Sequence, residues 1–258
     1  MSRIASAFAK LNRVALIPYI TMGYPSIEAT LEMVPLLAES GCDIVELGIP
    51  FSDPLADGAT IQHASYQALR QGVTPKHCLE LAQVLRQRVD IPFVFMTYYN
   101  PVLKFGLEGF CSKCAQVGID GLIIPDLPPE EGEDLERSAQ EYEIDLIYLL
   151  TPASTEERIN LVASRSSGFI YLVSLTGVTG TRDVLPDELE SFVNRVRTRT
   201  RKPLCVGFGV ATPEQVRRIA KVADGVIVGS RIIQLMEEDT TFSSLKAFTS
   251  SLREALGQ

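Results

Sequence analysis

Eight short apolar runs, rich in β-branched residues, recur along the whole chain. Within each run the apolar residues are continuous rather than alternating with polar ones, which is typical of strands buried on both faces of a parallel sheet. The predicted strands span residues 14–20, 43–47, 93–97, 121–124, 145–149, 169–173, 204–206 and 225–228.

Helical patterns separate these strands. Ser26 is a predicted N-cap for a helix that stops before Gly41, and Pro75 and Pro213 stand at first-turn positions of two others. The predicted helices span residues 26–40, 74–88, 106–117, 130–141, 155–164, 186–199, 212–220 and 241–256, with an extra amphipathic helix at 2–11.

The repeated order of strand and helix predicts the α/β class and, within it, a (β/α)8 TIM barrel. We expect one barrel domain over residues 1–258, with the extra N-terminal helix and additional short helices. An open doubly wound sheet is the alternative. It would usually have fewer strands and a dinucleotide-type glycine turn after the first strand, which residues 21–25 do not supply.

Composition limits the classes of molecule that this chain is expected to bind. The 258 residues carry a formal net charge of −8, which argues against nucleic acid and anionic membrane surfaces as main partners. Hydrophobic residues make up 46% of the chain, enough for a substantial core. An anionic substrate would have to be held locally, by backbone N–H groups or by one or two cations.

The cysteines indicate a reducing compartment. Their odd number, five, and their scattered spacing do not suggest a disulfide framework. We expect a cytoplasmic protein, or one of the plastid stroma if the source is a plant and a transit peptide has been removed. The pair Cys111 and Cys114 forms a lone C-x-x-C in a helical pattern, without a second ligand pair for a metal.

Two loops that follow predicted strands carry glycines suited to phosphate. One contains Gly207 and Gly209, and the other contains Gly229 and Ser230 ahead of an apolar helical stretch. TIM barrels often bind phosphate between these two loops, where backbone N–H groups and a helix N-terminus meet the anion. Any one of these glycines alone is better explained as a tight turn; both loops together favour a phosphate site.

The longest irregular stretches are residues 48–59 and 174–185, and long loops in a compact barrel are usually functional. In the second, residues 174–183 place Gly177 and Gly180 among threonines, a composition that suits a lid closing on a ligand. An ordinary flexible loop is the alternative.

Elimination leaves carboxylates as the reactive groups. No lysine stands at the carboxyl end of a predicted strand, so a Schiff-base aldolase is disfavoured. The two histidines, both in helical patterns, cannot supply a histidine metal site or a catalytic triad. Glu46, at the end of the second strand, and Asp57, in the following loop, are the candidates. Asp126 suits an orienting acid or a helix cap, and Asp53 a turn or subunit contact.

A glutamate in an apolar barrel mouth can have a raised pKa and serve as both general acid and general base. Asp57 could accept a hydrogen bond from a substrate N–H or O–H group. Tyr171 and Phe208 offer aromatic walls, although plain packing also explains Tyr171. The residues alone therefore predict a phosphate-binding barrel with acid–base catalysis at Glu46.

The run Glu46-Leu47-Gly48-Ile49-Pro50-Phe51-Ser52-Asp53-Pro54-Leu55-Ala56-Asp57-Gly58 resembles the signature of the tryptophan synthase alpha subunit family. The resemblance covers the full chain and is highly specific in this run. Further matching segments are residues 92–101, 124–128, 171–174, 177–180, 207–209 and 229–230.

This resemblance implies a lyase that performs retro-aldol-type cleavage of indole-3-glycerol phosphate to indole and glyceraldehyde 3-phosphate. Glu46 would protonate the indole carbon that bears the side chain and remove the hydroxyl proton. Asp57 would hold the indole N–H and stabilise the positive, indolenine-like state. Thr179 would contact Asp57 when the lid closes. The phosphate would be held by Gly180, Gly209, Gly229 and Ser230, and the pocket lined by Tyr19, Met96, Tyr171, Thr179, Phe208 and Ile227.

The resemblance also implies a partner. The family works as an αββα complex, in which a beta subunit carrying pyridoxal phosphate receives indole through a tunnel and makes L-tryptophan. No cofactor is implied for this chain, and residues 48–57, 98–101 and Pro128 match partner-facing regions. Leu175, where arginine is common, and Tyr24, where aspartate is common, depart from the best-known members.

Three other readings stay open at this point. A phosphosugar epimerase or isomerase would need a second acid or histidine opposite Glu46, and only Asp57 is available. A barrel that binds the partner without turnover is disfavoured by the intact pair of acids. A stand-alone indole-releasing lyase has the same residues.

Overall fold

A computed structural model describes residues 1–174, 187–207 and 209–257 of the chain. The described residues form nine parallel strands in one sheet. The strands are β1 (Ala15–Thr21), β2 (Val45–Gly48), β3 (Phe93–Met96), β4 (Gly121–Ile123), β5 (Asp145–Ile147), β6 (Leu149–Leu150), β7 (Ile170–Val173), β8 (Leu204–Gly207) and β9 (Gly225–Val228).

The sheet closes on itself at Tyr148. The strand order is β5-β4-β3-β2-β1-β9-β8-β7-β6, and Tyr148 is the single residue between β5 and β6. Its carbonyl accepts a hydrogen bond from Tyr171 N at 3.1 Å, which continues the ladder to β7. The predicted fifth strand, residues 145–149, is therefore two segments that pair with different neighbours. Counted together, β5 and β6 form one of the eight strands of the predicted (β/α)8 barrel, which is closed. The open-sheet alternative is excluded.

Twelve α-helices and one 3-10 turn, Pro129–Glu131, accompany the strands in the described part of the chain. The helices are α1 (Arg3–Lys10), α2 (Ile27–Glu39), α3 (Ala59–Arg70), α4 (Pro75–Arg86), α5 (Tyr99–Phe105), α6 (Leu107–Val117), α7 (Glu133–Glu141), α8 (Glu156–Arg165), α9 (Asp187–Arg197), α10 (Pro213–Ile219), α11 (Ser230–Glu238) and α12 (Ser243–Ala255).

The predicted helix starts rest on real caps. Ser26 Oγ accepts from Ala29 N at 3.1 Å at the start of α2. Thr212 and the side chain of Gln215 form a reciprocal capping box on α10. The predicted helix ranges are confirmed to within three residues, whereas α3, α5 and α11 lie outside them. For α11 the sequence indicates only an apolar helical stretch after Ser230. Pro101 favours a loop in the sequence, but it falls in the first turn of α5, where a missing N–H breaks no helical bond.

A set of carboxylates holds the amino ends of the strands. Oδ2 of Asp43, Asp120 and Asp224 accepts a backbone N–H from the start of β1, β3 and β8, at 2.9, 2.8 and 2.7 Å respectively. Each also pairs with arginine. For Asp43 the partners are Arg13 and Arg253, at 2.8 and 3.0 Å. The buried charges of Asp43 and Asp120 are thus compensated at the end of the barrel opposite the carboxyl ends of the strands.

Among the described residues, no helix has the length and apolar character needed to cross a bilayer. All five cysteines are free and buried. Cys111 and Cys114 lie on the buried side of α6, so their spacing reflects packing of a helix face.

Candidate active site

Glu46 is a buried acid without a partner. It lies in β2, where all residues are buried, and its register neighbours are Tyr19 in β1 and Val94 in β3. Its exposed fraction is 1%, and neither carboxyl oxygen has a hydrogen-bond partner. Burial, and secondly the charge of Asp57, raises the pKa of Glu46 to about 8. A native protein rarely leaves such a group unpaired unless the group is used in function.

Asp57 faces Glu46 from the loop between β2 and α3. Local bonds shape this loop: Leu55 N donates to Asp53 O at 2.9 Å, and Asp57 N donates to Pro54 O at 3.1 Å. Oδ1 of Asp57 is buried and unpartnered. Burial raises the pKa of Asp57 to about 6, against the opposing effect of a hydrogen bond from Tyr98. The two acids thus titrate on either side of neutrality.

Two predicted tyrosines lie in the same electrostatic environment as the acids. Tyr19 in β1 and Tyr171 in β7 are 5% and 4% exposed. Burial raises the pKa of each phenol, and the negative charges of Glu46 and Asp57 raise both further. Both phenols therefore stay protonated beside the acid pair. The structure brings these four predicted residues together at the carboxyl ends of the strands.

Glycines make room for the two phenols. A Cβ on Gly48 would lie 2.1 Å from the hydroxyl of Tyr19, and a Cβ on Gly207 would lie 2.2 Å from the hydroxyl of Tyr171. Both distances are far below contact distance. Gly48 and Gly207, at the ends of β2 and β8, are therefore needed for close approach of an aromatic side chain.

Two of the predicted phosphate residues, Gly229 and Ser230, lie where β9 meets α11. Gly229 is the N-cap of α11 and Ser230 its first residue, so the helix N-terminus opens there. A Cβ on Gly229 would lie 3.4 Å from Tyr19 Cβ, so this turn packs against the wall of the acid site. Gly209 has φ +72°, the left-handed region that favours glycine.

The remaining predicted pocket residues divide into two groups. Met96 and Ile227 are 6% and 3% exposed, in β3 and β9. Thr179, Gly180 and Phe208, together with the lid position Leu175, lie outside the described residues.

Asp53 and Asp126 are the two acids for which the sequence favours structural roles over catalytic ones. Asp53 is exposed on the loop after β2. Oδ1 of Asp126 accepts a hydrogen bond from Tyr99 N at 2.8 Å, so this acid caps α5 of the neighbouring unit rather than the helix that follows it in the chain. Tyr24 donates its hydroxyl to Glu237 in α11.

Tyr98 is a member of the site that the catalytic-residue prediction missed. It follows β3 and is 4% exposed, its hydroxyl accepts from Ala56 N at 3.0 Å, and its ring stacks on Phe51. The hydroxyl oxygen of the preceding Thr97 is buried without a partner. The available signal was position: both residues come directly at the carboxyl end of a barrel strand.

The arrangement supplies one acid that holds its proton at neutral pH and a second that has released it. No group of three or more His, Cys, Asp or Glu side chains is placed to hold a metal within residues 1–174, 187–207 and 209–257. Such a pair can donate a proton to one atom of a ligand, stabilise the positive charge that results, and then accept a proton elsewhere.

Known proteins resemble this chain over its whole length. The family model of the tryptophan synthase alpha chain matches residues 5–255. A tryptophan synthase alpha chain from Dehalococcoides mccartyi is 59% identical over 256 residues, covering 99% of this chain and 100% of that protein.

Solved structures agree with this resemblance. Tryptophan synthase subunit alpha from Legionella pneumophila superposes with a TM-score of 0.91 at 36% identity, covering 99% of this chain and 98% of that one. A chain of tryptophan synthase from M. tuberculosis, in an aminoacrylate-bound form, gives 0.90 at 36% identity, covering 99% and 100%.

Proposed function

This chain belongs to the tryptophan synthase alpha chain family, and from that premise we propose that Glu46 and Asp57 carry out the family's reaction. The family cleaves indole-3-glycerol phosphate and passes indole to a beta subunit. The observation that supports our assignment most directly is Glu46 itself, which is 1% exposed and has no partner for either carboxyl oxygen.

In the proposed reaction, Glu46 first donates a proton and later accepts one. Its carboxylic acid gives a proton to the indole carbon that carries the glycerol phosphate chain, and the ring becomes a positive indolenine. The resulting carboxylate then removes the proton of the adjacent chain hydroxyl. The carbon–carbon bond breaks, its electron pair restores the indole ring, and a carbonyl forms on glyceraldehyde 3-phosphate. Glu46 ends protonated, as it began.

Asp57 has the complementary role. Its ionised carboxylate accepts a hydrogen bond from the indole N–H and stabilises the positive charge on the protonated ring. The low polarity around Glu46 and Asp57 strengthens this interaction, because charges interact more strongly away from bulk water. The pKa of about 6 for Asp57 and of about 8 for Glu46 supports this division of labour at pH 7.

The rest of the proposed site extends across the barrel mouth. Tyr19, Met96, Tyr171 and Ile227, with Thr179 and Phe208, line the indole and glycerol part. Gly209, Gly229 and Ser230, with Gly180, bind the phosphate through backbone N–H groups and the N-terminus of α11.

We also propose the family's assembly for this chain. The beta subunit is the partner, in an αββα complex, and carries the pyridoxal phosphate, so that no cofactor binds here. Residues 48–57, 98–101 and Pro128 are the proposed contact surface. Leu55, 93% exposed, offers an apolar side chain within it.

Indole release from indole-3-glycerol phosphate tests the acid assignments. Glu46→Gln should bind substrate yet lose turnover, because the amide has no proton to exchange. Asp57→Asn should slow turnover several hundred-fold or more, on the order of 4 kcal/mol. Asp53→Asn, on the same loop but exposed, is the matched control and should behave like the parent when the chain is assayed alone. Substantial turnover in Glu46→Gln would refute the assignment.

The same assay with and without a beta subunit tests the assembly. Turnover that rises strongly on adding the beta subunit supports the synthase complex. Equal and high turnover in its absence would instead favour a stand-alone indole-releasing lyase.

A further inference from the structure

Tyr98 contacts the loop of Asp57 at two separate points. Its hydroxyl accepts a hydrogen bond from Ala56 N at 3.0 Å, one residue before Asp57. Its ring stacks on Phe51, near the start of the loop, with 5.1 Å between centroids and 27° between planes. One buried side chain therefore holds both ends of the segment that carries the second acid.

A different loop fixes the backbone from which Tyr98 reaches. Tyr98 is the N-cap residue of α5, and its own side chain makes no capping bond there. Asp126, after β4, supplies that bond instead, since its Oδ1 accepts from Tyr99 N at 2.8 Å. The contacts thus run in series from Asp126 to the first turn of α5, from Tyr98 to Ala56, and on to Asp57.

Electrostatics agree with this geometry. Burial, followed by the charge of Asp57, raises the pKa of Tyr98, so the phenol keeps its proton at any working pH. Hydrogen bonding from that phenol lowers the pKa of Asp57 against the effect of burial. The phenol consequently favours the ionised form of the carboxyl group.

We propose that Tyr98, oriented by Asp126, is a positioning residue that presents the ionised Asp57 to the indole N–H of the substrate. The inference rests on the proposed role of Asp57 and adds two residues to the machinery of the reaction. Neither touches the reacting atoms in this scheme.

The test is Tyr98→Phe in the full chain, assayed for indole release from indole-3-glycerol phosphate with and without a beta subunit. The substitution removes the hydroxyl and keeps the ring on Phe51. We expect kcat to fall about tenfold, because the substitution removes the acceptor of Ala56 N and so loosens the backbone next to Asp57. KM should change much less, and the acidic limb of the pH profile should move to higher pH.

Tyr66→Phe is the matched control. It removes a phenol hydroxyl from an exposed side chain of α3, outside both the acid site and the proposed partner surface. Its kcat and pH profile should equal those of the parent.

Asp126 provides a second, conservative pair. Asp126→Ala should reproduce the tenfold loss, whereas Asp126→Asn should recover most of kcat because its amide oxygen can still accept from Tyr99 N. Combining Tyr98→Phe with Asp126→Ala should cost little more than the worse single change, because both act through the same contact.

Two outcomes would overturn the proposal. One is a parent-like kcat and pH profile in Tyr98→Phe; the other is a lowered melting temperature with no shift of the acidic limb, which would mean a structural role alone. Failure of the proposed function looks different, because Glu46→Gln and Asp57→Asn would then retain turnover.

Discussion

At the scale of single residues, Glu46 and Asp57 differ in their degree of burial and in the hydrogen bonds offered to them. Both carboxyl groups are removed from water, which favours their neutral forms. Glu46 has no hydrogen-bond partner, whereas a hydrogen bond from Tyr98 lowers the pKa of Asp57. One apolar site therefore holds an acid and a carboxylate side by side near pH 7.

This difference predicts a bell-shaped pH profile for kcat/KM of indole release. Activity should rise as pH passes about 6, where Asp57 ionises, and fall as pH passes about 8, where Glu46 loses the proton that starts the reaction. Initial rates between pH 5 and 9.5, a range chosen to bracket both values by roughly one pH unit or more, would check this. A profile that keeps rising above pH 8 would contradict Glu46 as the initial acid.

The unpaired Glu46 should also lower stability at alkaline pH. The folded chain keeps the Glu46 proton up to about pH 8, whereas the unfolded chain releases it near the ordinary glutamate pKa of 4.5. Unfolding therefore releases a proton between these values, and stability falls as pH rises through them. In Glu46→Gln this loss is absent.

The stability advantage of Glu46→Gln over the parent should grow from pH 4.5 to pH 8 and then level off. A pKa difference of one corresponds to about 1.4 kcal/mol, so the total change amounts to a few kcal/mol. Urea unfolding of both proteins across this range measures it. A constant difference between the two proteins would contradict the raised pKa of Glu46.

At the scale of elements, the packing of β2 against β1 depends on a close contact between Gly48 and the side chain of Tyr19. Gly48→Ala would drive a methyl group onto Tyr19, whose hydroxyl and ring lie 2.1 to 2.8 Å from the added Cβ. We expect a loss of about 1–3 kcal/mol from overpacking, together with reduced turnover.

Adding Tyr19→Leu to Gly48→Ala should recover part of that stability, because the shorter side chain vacates the space. The double substitution should then be less destabilising than the sum of the two singles by about 1 kcal/mol or more. Gly109→Ala, where a Cβ would meet nothing within 4 Å, is the control. It should be neutral or add up to about 1 kcal/mol, since it lies inside α6. Additive effects would contradict the contact.

The regular elements could be predicted because their signals are local. Gly225–Val228 was predicted to the residue, and Ser26 and Thr212 cap the helices that their positions indicate. The break at Tyr148 could not be predicted, because it depends on which neighbour each half of the strand pairs with. The start of α5 at Tyr99 depends on a cap from Asp126, distant in sequence, which local patterns do not contain.

The same distinction applies to the site: the sequence indicates Glu46 as a functional residue but does not indicate Tyr98. Glu46 stands out in the sequence because an acid in a buried strand is costly. Tyr98 does not, since a tyrosine after a strand is ordinary; its role depends on contacts with Phe51 and Ala56 that exist only in the folded barrel.

At the scale of the whole molecule, charge is placed differently at the two ends of the barrel. At the amino ends of the strands, Asp43 is paired with Arg13 and Arg253 and accepts from Leu16 N. At the carboxyl ends, both oxygens of Glu46 are unpaired. We therefore expect the first end to determine stability and the second to determine turnover.

Asp43→Ala tests whether stability and turnover are determined at different ends of the barrel. The substitution removes the carboxylate that accepts from Arg253 Nη1, on a side chain 11% exposed, and from the N–H of Leu16. The free energy of unfolding should fall by about 3–5 kcal/mol, with kcat/KM unchanged where the protein is folded. Glu80→Ala, which removes an exposed pair with Lys76, is the control and should cost less than about 1 kcal/mol. A large loss of kcat/KM in folded Asp43→Ala would contradict this separation.

The closure at Tyr148 has one more consequence, since it is one of two seams, the other between β1 and β9, where strands from before residue 148 meet strands from after it. Glu46, Asp57 and Tyr98 come from the half of the barrel before residue 148, whereas the proposed phosphate seat at Gly209, Gly229 and Ser230 comes from the half after it. Neither half could hold the whole substrate. A bound indole-3-glycerol phosphate would therefore contact both halves, and ligand binding should stabilise their association.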